Sequence, residues 1–146
     1  MNQHALNQVL WTARRAAGAM QRAKEQELRP LDLAAAHYLL LAAIAFNPGA
    51  TGAEVARELG VTPQNIAGLT SRLERRGLVR RQPHPRHKHI LEMRITPEGE
   101  ELLAQADTAM MALEGRITAF LGAEDAATLA SLLDRLADGL EAPREV

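Results

Sequence analysis

The sequence predicts a mainly helical fold carrying one small β-hairpin, and three features of the 146-residue chain lead there. Ala and Leu dominate a composition that is 47% hydrophobic and only 3% aromatic, which favours helix because neither side chain loses much freedom in one. Apolar residues recur every three or four positions in most segments, with Thr, Pro and Gly where helices begin and end. Between Gly77 and Thr96 the period drops to two, as short strands require. At this length a single domain is expected, able to bury about two-thirds of its unfolded surface.

Segment 5–28 places Leu6, Val9, Ala13, Ala16, Ala17, Met20 and Ala23 at helical spacing, and Pro30 closes it. Segment 31–46, LDLAAAHYLLLAAIAF, is nearly all apolar and predicts a helix buried on most sides; Asn47-Pro48-Gly49 breaks it. Thr51 opens a capping box with Glu54, each side chain satisfying a backbone N–H at a helix start, and Gly60 stands where a terminating glycine belongs. Thr62 is an N-cap for the next helix, Pro63 sits at its first position without losing a hydrogen bond, and Gly77 stops it. Two short helices joined by a tight turn form a helix-turn-helix, which lays its second helix in a DNA major groove.

That second helix directs Ile66, Leu69 and Leu73 to the core and leaves Gln64, Asn65, Gly68, Ser71, Arg72 and Arg75 on an outer arc. Gln and Asn can each bind an adenine edge with two hydrogen bonds, and Gly lets the backbone approach a base or phosphate. Strands are expected over 78–82 and 91–95. The loop between them, PHPRHKHI, has a basic tip of Arg86, His87 and Lys88 suited to phosphates or a minor groove. Thr96-Pro97 repeats the cap signature and starts a long helix.

Charge is segregated. The whole chain sums to −1, yet residues 57–94 hold nine Lys/Arg against three acids, and residues 97–146 hold three Arg against eleven. A phosphate-contacting lobe joined to a non-contacting one needs that arrangement, because attraction to phosphate is screened within ~10 Å. Double-stranded DNA is the expected partner, with Thr51 and Thr62 at the two helix starts added to the outer-arc and hairpin-tip residues.

The stretches VTPQNIAGLTSRLERRGLVRR and HPRHKHILEMRITPEG resemble the MarR (multiple-antibiotic-resistance regulator) family, and the order of helices extends the likeness over nearly the whole chain. The resemblance implies a winged helix-turn-helix flanked by N- and C-terminal dimerisation helices, with 31–96 as the DNA-binding lobe and 1–30 plus 97–146 as the helical lobe. It also implies a homodimer, and regulation, commonly repression, relieved by a small aromatic ligand. The family's hairpin pattern, Asp-x-Arg-Asp-x-Arg, falls here on His84, Arg86, His87 and His89, so the DNA role of the first arginine carries over to Arg86 while both acids are replaced by histidine. Where the family often has Ser then Arg, Ala67 and Gly68 stand, which shifts base contact to Gln64, Asn65 and Ser71.

Apolar seams support self-association: Leu103, Ala106, Met110, Leu113, Ile117 and Phe120 in one helix, and Leu129, Leu133, Leu136 and Leu140 in the next. Trp11, Arg15, His37 and Tyr38 are the candidate effector residues, an aromatic wall beside cationic groups; packing of Trp11 and Tyr38 in a core is the plainer alternative.

Other classes have specific discriminants. No GxSxG, P-loop, HExxH or Gly-rich dinucleotide turn occurs, so neither an enzyme nor a cofactor is expected. No run approaches a membrane span, no signal peptide is evident and cysteine is absent, which points to a cytoplasmic protein without thiol chemistry. A winged module for protein contacts would present apolar groups where Arg86 and the outer arc stand. A non-specific architectural DNA binder would differ only in its selectivity. His84, His87 and His89 could make the hairpin metal- or pH-responsive, though no fourth metal ligand is evident.

Overall fold

The computed structural model describes residues 8–143, and its architecture is the expected one. In order it comprises α1 (Val9–Leu28), a 3-10 turn (Arg29–Leu31), α2 (Ala35–Phe46), α3 (Gly52–Leu59), α4 (Pro63–Arg75), β1 (Val79–Pro83), β2 (Leu91–Ile95), α5 (Pro97–Leu121) and α6 (Ala123–Glu141). The chain divides between Met110 and Met111 into two compact units.

The core of the first unit is built around Leu40, Leu41 and Ile44 of α2, each fully buried. Val55 and Ala56 of α3, Ile66 and Leu73 of α4, and Val79 and Met93 of the hairpin close over them, with Leu28 and Ala106 completing the cluster. Burying each large aliphatic side chain contributes about 1.5–3 kcal/mol, so these few residues set the angle between α3 and α4.

The strands pair antiparallel from Val79↔Ile95 to Pro83↔Leu91. The other edge of β2 is used too: Met93 donates its N–H to the Ala50 carbonyl (2.9 Å), Gly49 donates to the Met93 carbonyl (3.2 Å), and Thr51 bridges to Glu92. The segment before α3, which reads in sequence as a simple break, thus serves as a one-bridge third strand. At the far end of β2, Gly99 lets α5 lie against the start of β1. A Cβ there would overlap the Leu78 carbonyl oxygen and come within 2.7 Å of an Ile95 side-chain carbon. Thr96 ties the same corner, donating to the Gly77 carbonyl (2.6 Å) and accepting from the Gly99 N–H (3.1 Å) in its expected role as N-cap.

Several sequence expectations are corrected. The second helix starts at Ala35, not Leu31, because Pro30 lacks a donor and residues 29–31 tighten into a 3-10 turn that Asp32 ends in the left-handed conformation (φ 50°). As expected, α2 is covered on most sides, but one stripe stays open: Leu39 is 50% and Phe46 84% exposed, seven residues apart. The α1 stripe is likewise open, with Val9 and Met20 exposed and only Leu28 buried; Leu6 lies outside the described residues. In α5 the proposed seam is divided. Ala106 is fully buried and Leu103 and Met110 pack on the chain's own core, whereas Phe120 is 76% exposed.

In the second unit no residue of α6 is buried, and Leu129, Leu133, Leu136 and Leu140 all remain exposed.

Candidate nucleic-acid interface

The helix-turn-helix rests on two caps that form as its residues dictate. The Thr51 hydroxyl accepts from the Glu54 N–H (3.3 Å) while the Glu54 carboxylate accepts from the Thr51 N–H (2.9 Å). Gly60 then takes the left-handed conformation (φ 66°) that reverses the chain. The Thr62 hydroxyl accepts from the Asn65 N–H (3.1 Å), starting α4 with Pro63 in its first turn. Both threonines therefore spend an oxygen lone pair on their own helix.

Ile66 and Leu73 face inward as expected, but their fully buried neighbour is Thr70, with Leu69 only partly buried. Thr70 is tolerated inside because its hydroxyl donates to the Ile66 carbonyl (2.7 Å) and sits 3.4 Å from the Met93 sulfur. Steps of four and three from residue 66 reach 70 and 73; a reading that favours apolar residues picks Leu69 instead. Gln64, Asn65, Gly68, Arg72 and Arg75 all stand exposed on the opposite arc. Ser71 is half-buried, and its hydroxyl donates back to the Ala67 carbonyl (2.9 Å), leaving the oxygen lone pairs outward.

The hairpin keeps its order without the usual acids. His84 Nδ1 accepts from the backbone N–H groups of Arg86 (3.1 Å) and His87 (3.2 Å), the bonds a carboxylate at this position would accept, and so caps the turn that presents Arg86, His87 and Lys88 to solvent. The proton then sits on Nε2, 3.7 Å from the nearly buried Glu92 carboxylate, which Arg94 approaches at 3.5 Å. The rings of His84 and His87 stack at 5.4 Å and His89 meets His87 edge-on. Nδ1 of His84 is filled, and among the described residues no group of His, Cys, Asp or Glu is arranged to hold a metal.

Charge on this face is less than the sequence suggests, because tertiary contacts take three of the nine cations. Arg76 donates to the carbonyls of Leu31 and Asp32, Arg81 forms a forked bond to Glu74 (2.8 Å), and Arg94 pairs with Glu92. The Arg81 bond holds the Glu74 carboxyl below its usual range and ties β1 to the last turn of α4. Arg57, Arg72, Arg75, Arg80, Arg86 and Lys88 make no side-chain hydrogen bond or ion pair with another described residue and remain available to phosphate.

The four candidate effector residues are not gathered in one place. Trp11 lines a surface hollow with Gln8, Leu10 and Arg14, and Arg15 is exposed. Tyr38 donates its hydroxyl to Asp107 (2.8 Å), and burial and that bond push its pKa up to about 12. His37 instead lines a cavity beside Arg72, Arg75 and Arg76.

Comparison with known proteins places this architecture. The family model of MarR proteins matches residues 31–88, the span from the end of the 3-10 turn to the hairpin tip. The structure superposes on that of the transcriptional repressor CouR bound to a 23-mer DNA duplex with a TM-score of 0.88, covering 92% of this chain and 96% of that one at 26% identity. Over the helix-turn-helix and the hairpin as far as its tip, the chain resembles the MarR family. A relative, the HTH-type transcriptional repressor Rv2887 of Mycobacterium tuberculosis, is 29% identical over 109 residues, covering 75% of this chain and 78% of its own. CouR bound to p-coumaroyl-CoA also matches, with a TM-score of 0.83 and 27% identity over 94% of this chain and 96% of that one. The proteins it resembles are transcriptional regulators. No single helix among its described residues is long and apolar enough to cross a membrane.

Proposed function

We propose that the chain is a cytoplasmic, sequence-specific repressor that binds a pseudo-palindromic operator as a homodimer and is released by a small aromatic effector. The observation that carries the reading is the arc of α4, where the side chains of Gln64, Asn65, Arg72 and Arg75 stand exposed without hydrogen-bonding partners among the described residues. Gly68 lies at the centre of that arc, and a Cβ there would meet nothing within 4 Å. The fold itself therefore does not demand glycine at 68, whereas close approach to a base or phosphate would. Arg86, held forward by the His84-capped turn, supplies the flanking contact.

Homodimerisation is supported by the exposed leucines of α6, and two symmetry-related copies of α4 would read half-sites about one DNA turn, ~34 Å, apart. CouR, similar over nearly the whole chain, is a repressor seen both on a DNA duplex and with p-coumaroyl-CoA, which supports the DNA and aromatic-effector parts of the reading.

The test is a fluorescence-anisotropy titration against duplexes that include the gene's own upstream DNA, at about 50 and 200 mM salt. Tight binding to one palindromic duplex that persists at the higher salt while the others are lost is the expected result, with double substitution Asn65→Ala/Arg86→Ala abolishing it without unfolding the protein. Equal, salt-sensitive binding to every duplex would refute sequence-specific regulation.

A further inference from the structure

We propose that the cavity between the last turn of α4, the end of α1 and the start of α2 binds a phosphate-bearing small molecule, and that this ligand and DNA contend for the same arginines. The cavity has a volume of about 580 Å³, within the range of small-molecule sites. Its lining is cationic: Arg29 from the 3-10 turn, Arg72 and Arg75 from α4 and Arg76 at its C-cap face two carboxylates, Glu25 and Asp32.

The charges are unequally engaged. The Glu25 carboxylate accepts from the Ala35 N–H and the Gln21 amide, both at 3.2 Å, and Arg76 is taken up by the carbonyls of residues 31 and 32. Arg29, Arg72 and Arg75 make no side-chain hydrogen bond or ion pair with another described residue. Beside them, His37 Nε2 is buried without a hydrogen-bond partner among the described residues, and buried polar atoms in native proteins are nearly always bonded. The imidazole registers the local field: burial first, then Arg72 and Arg76, hold its pKa below the ordinary histidine value, with Glu25 opposing. In its neutral form it can still donate one N–H to an anion.

Forked guanidinium donors match the oxygens of a phosphate or pyrophosphate, which can accept from several at once. Leu33 and Ala34 supply the apolar side chains of the lining and no Phe, Tyr or Trp contributes, so an aromatic ring alone has little here to recognise it. Arg72 and Arg75 also stand on the arc that would face the major groove. A ligand that engages them from the cavity side withdraws their charge from DNA phosphate. This coupling rests on the DNA-binding reading above; the site does not.

The experiment is calorimetric titration of the DNA-free protein with pyrophosphate and, separately, ADP, at constant ionic strength, for wild type and Arg29→Ala. Arg29 is exposed and lies outside the proposed DNA contacts, so its replacement leaves folding and operator affinity in place. Saturable binding of one or both ligands, weakened about tenfold or more in Arg29→Ala, is expected, since a hydrogen bond to a charged group typically carries that much. ADP binding far more tightly than pyrophosphate would identify an organic phosphate as the occupant; equal affinities would identify the phosphate groups as all that is read. Absence of saturable binding by either ligand, or unchanged affinity in Arg29→Ala, overturns the site. Repeating the operator titration at a ligand concentration that fills wild type but leaves Arg29→Ala mostly empty separates the two claims: affinity should fall in wild type and much less in Arg29→Ala. A wild type that never bound DNA would remove the coupling while leaving the calorimetric result standing.

Discussion

Replacing His84 tests whether one imidazole organises the hairpin tip. His84→Ala removes the acceptor of two backbone N–H bonds, at 3.1 and 3.2 Å, and leaves the groups to water. Hydrogen bonds of this kind contribute about 0.5–1.5 kcal/mol each. The turn is solvent-accessible, so the lower half of that range applies, for a total of about 1–2 kcal/mol of local order. The 3.7 Å approach to Glu92 is lost as well, but Arg94 remains on that carboxylate. Because the tip lies outside the hydrophobic cluster, the loss appears as local fraying and leaves Tm nearly unchanged. A frayed tip must be reordered each time it meets DNA, so operator affinity falls about 5- to 30-fold at 1.4 kcal/mol per decade. No cation has been removed, and the slope of affinity against salt should stay as in wild type. Asparagine places an acceptor oxygen near the vacated Nδ1, so His84→Asn should recover most of the loss. Anisotropy titrations of the three proteins on one operator, with circular dichroism melts alongside, decide the matter. Wild-type affinity in His84→Ala, or an Asn variant no better than Ala, would refute the capping role.

Gly99→Ala should destabilise the protein by about 3 kcal/mol or more, beyond the usual range for overpacking, because the added methyl meets the Leu78 backbone carbonyl and not a side chain that can swing away; chemical denaturation measures it. Tyr38 is the chain's single tyrosine, so the ultraviolet signal of phenolate reports it alone. Its folded pKa of about 12 lies above the ordinary 10.0, so the protonated form stabilises the fold fully below pH 10, and that contribution is lost as pH rises toward 12. Ionisation near pH 10 in the still-folded protein would contradict the burial and the Asp107 bond. For His37 the sign is reversed. Its folded pKa is depressed, so its contribution is complete above pH 6.5 and declines as the solution is acidified below that value; Tm should fall more steeply there in wild type than in His37→Asn.

The parts of the fold that depend on neighbours in sequence were legible in it. Thr51 with Glu54, Thr62 with Pro63, and the glycines at 60 and 77 act over four residues or fewer, and each does in the structure what its chemistry dictates. Features made by distant segments were not. Nothing near Ala50 signals that it will pair with Met93, since a single bridge leaves no alternating pattern. Arg76 and Arg81 look as available as Arg72 and Arg75 until the carbonyls of 31–32 and the Glu74 carboxylate are brought beside them. Thr70 was passed over because its polarity is cancelled by a bond to a backbone group that composition does not reveal. Of the candidate effector residues, His37 alone lies with the arginine-lined cavity, and the aromatic wall inferred from Trp11 and Tyr38 is split between separate surroundings.

Three arginines crowd the end of α4, and their geometry divides what drift can do to them. The side chains of residues 72 and 75 bond to no other described side chain or carbonyl, so the fold itself does not require a guanidinium at either. Residue 76 donates to two successive carbonyls from a planar fork, a geometry an ammonium group cannot span. At the first two positions only ligand and DNA contacts would keep Arg, whereas sequences that diverge from this one while keeping the same turn before α2 should hold it at the third for the sake of the fold. Lysine there would loosen the joint between α1 and the reading helix while leaving the net charge of the face unchanged.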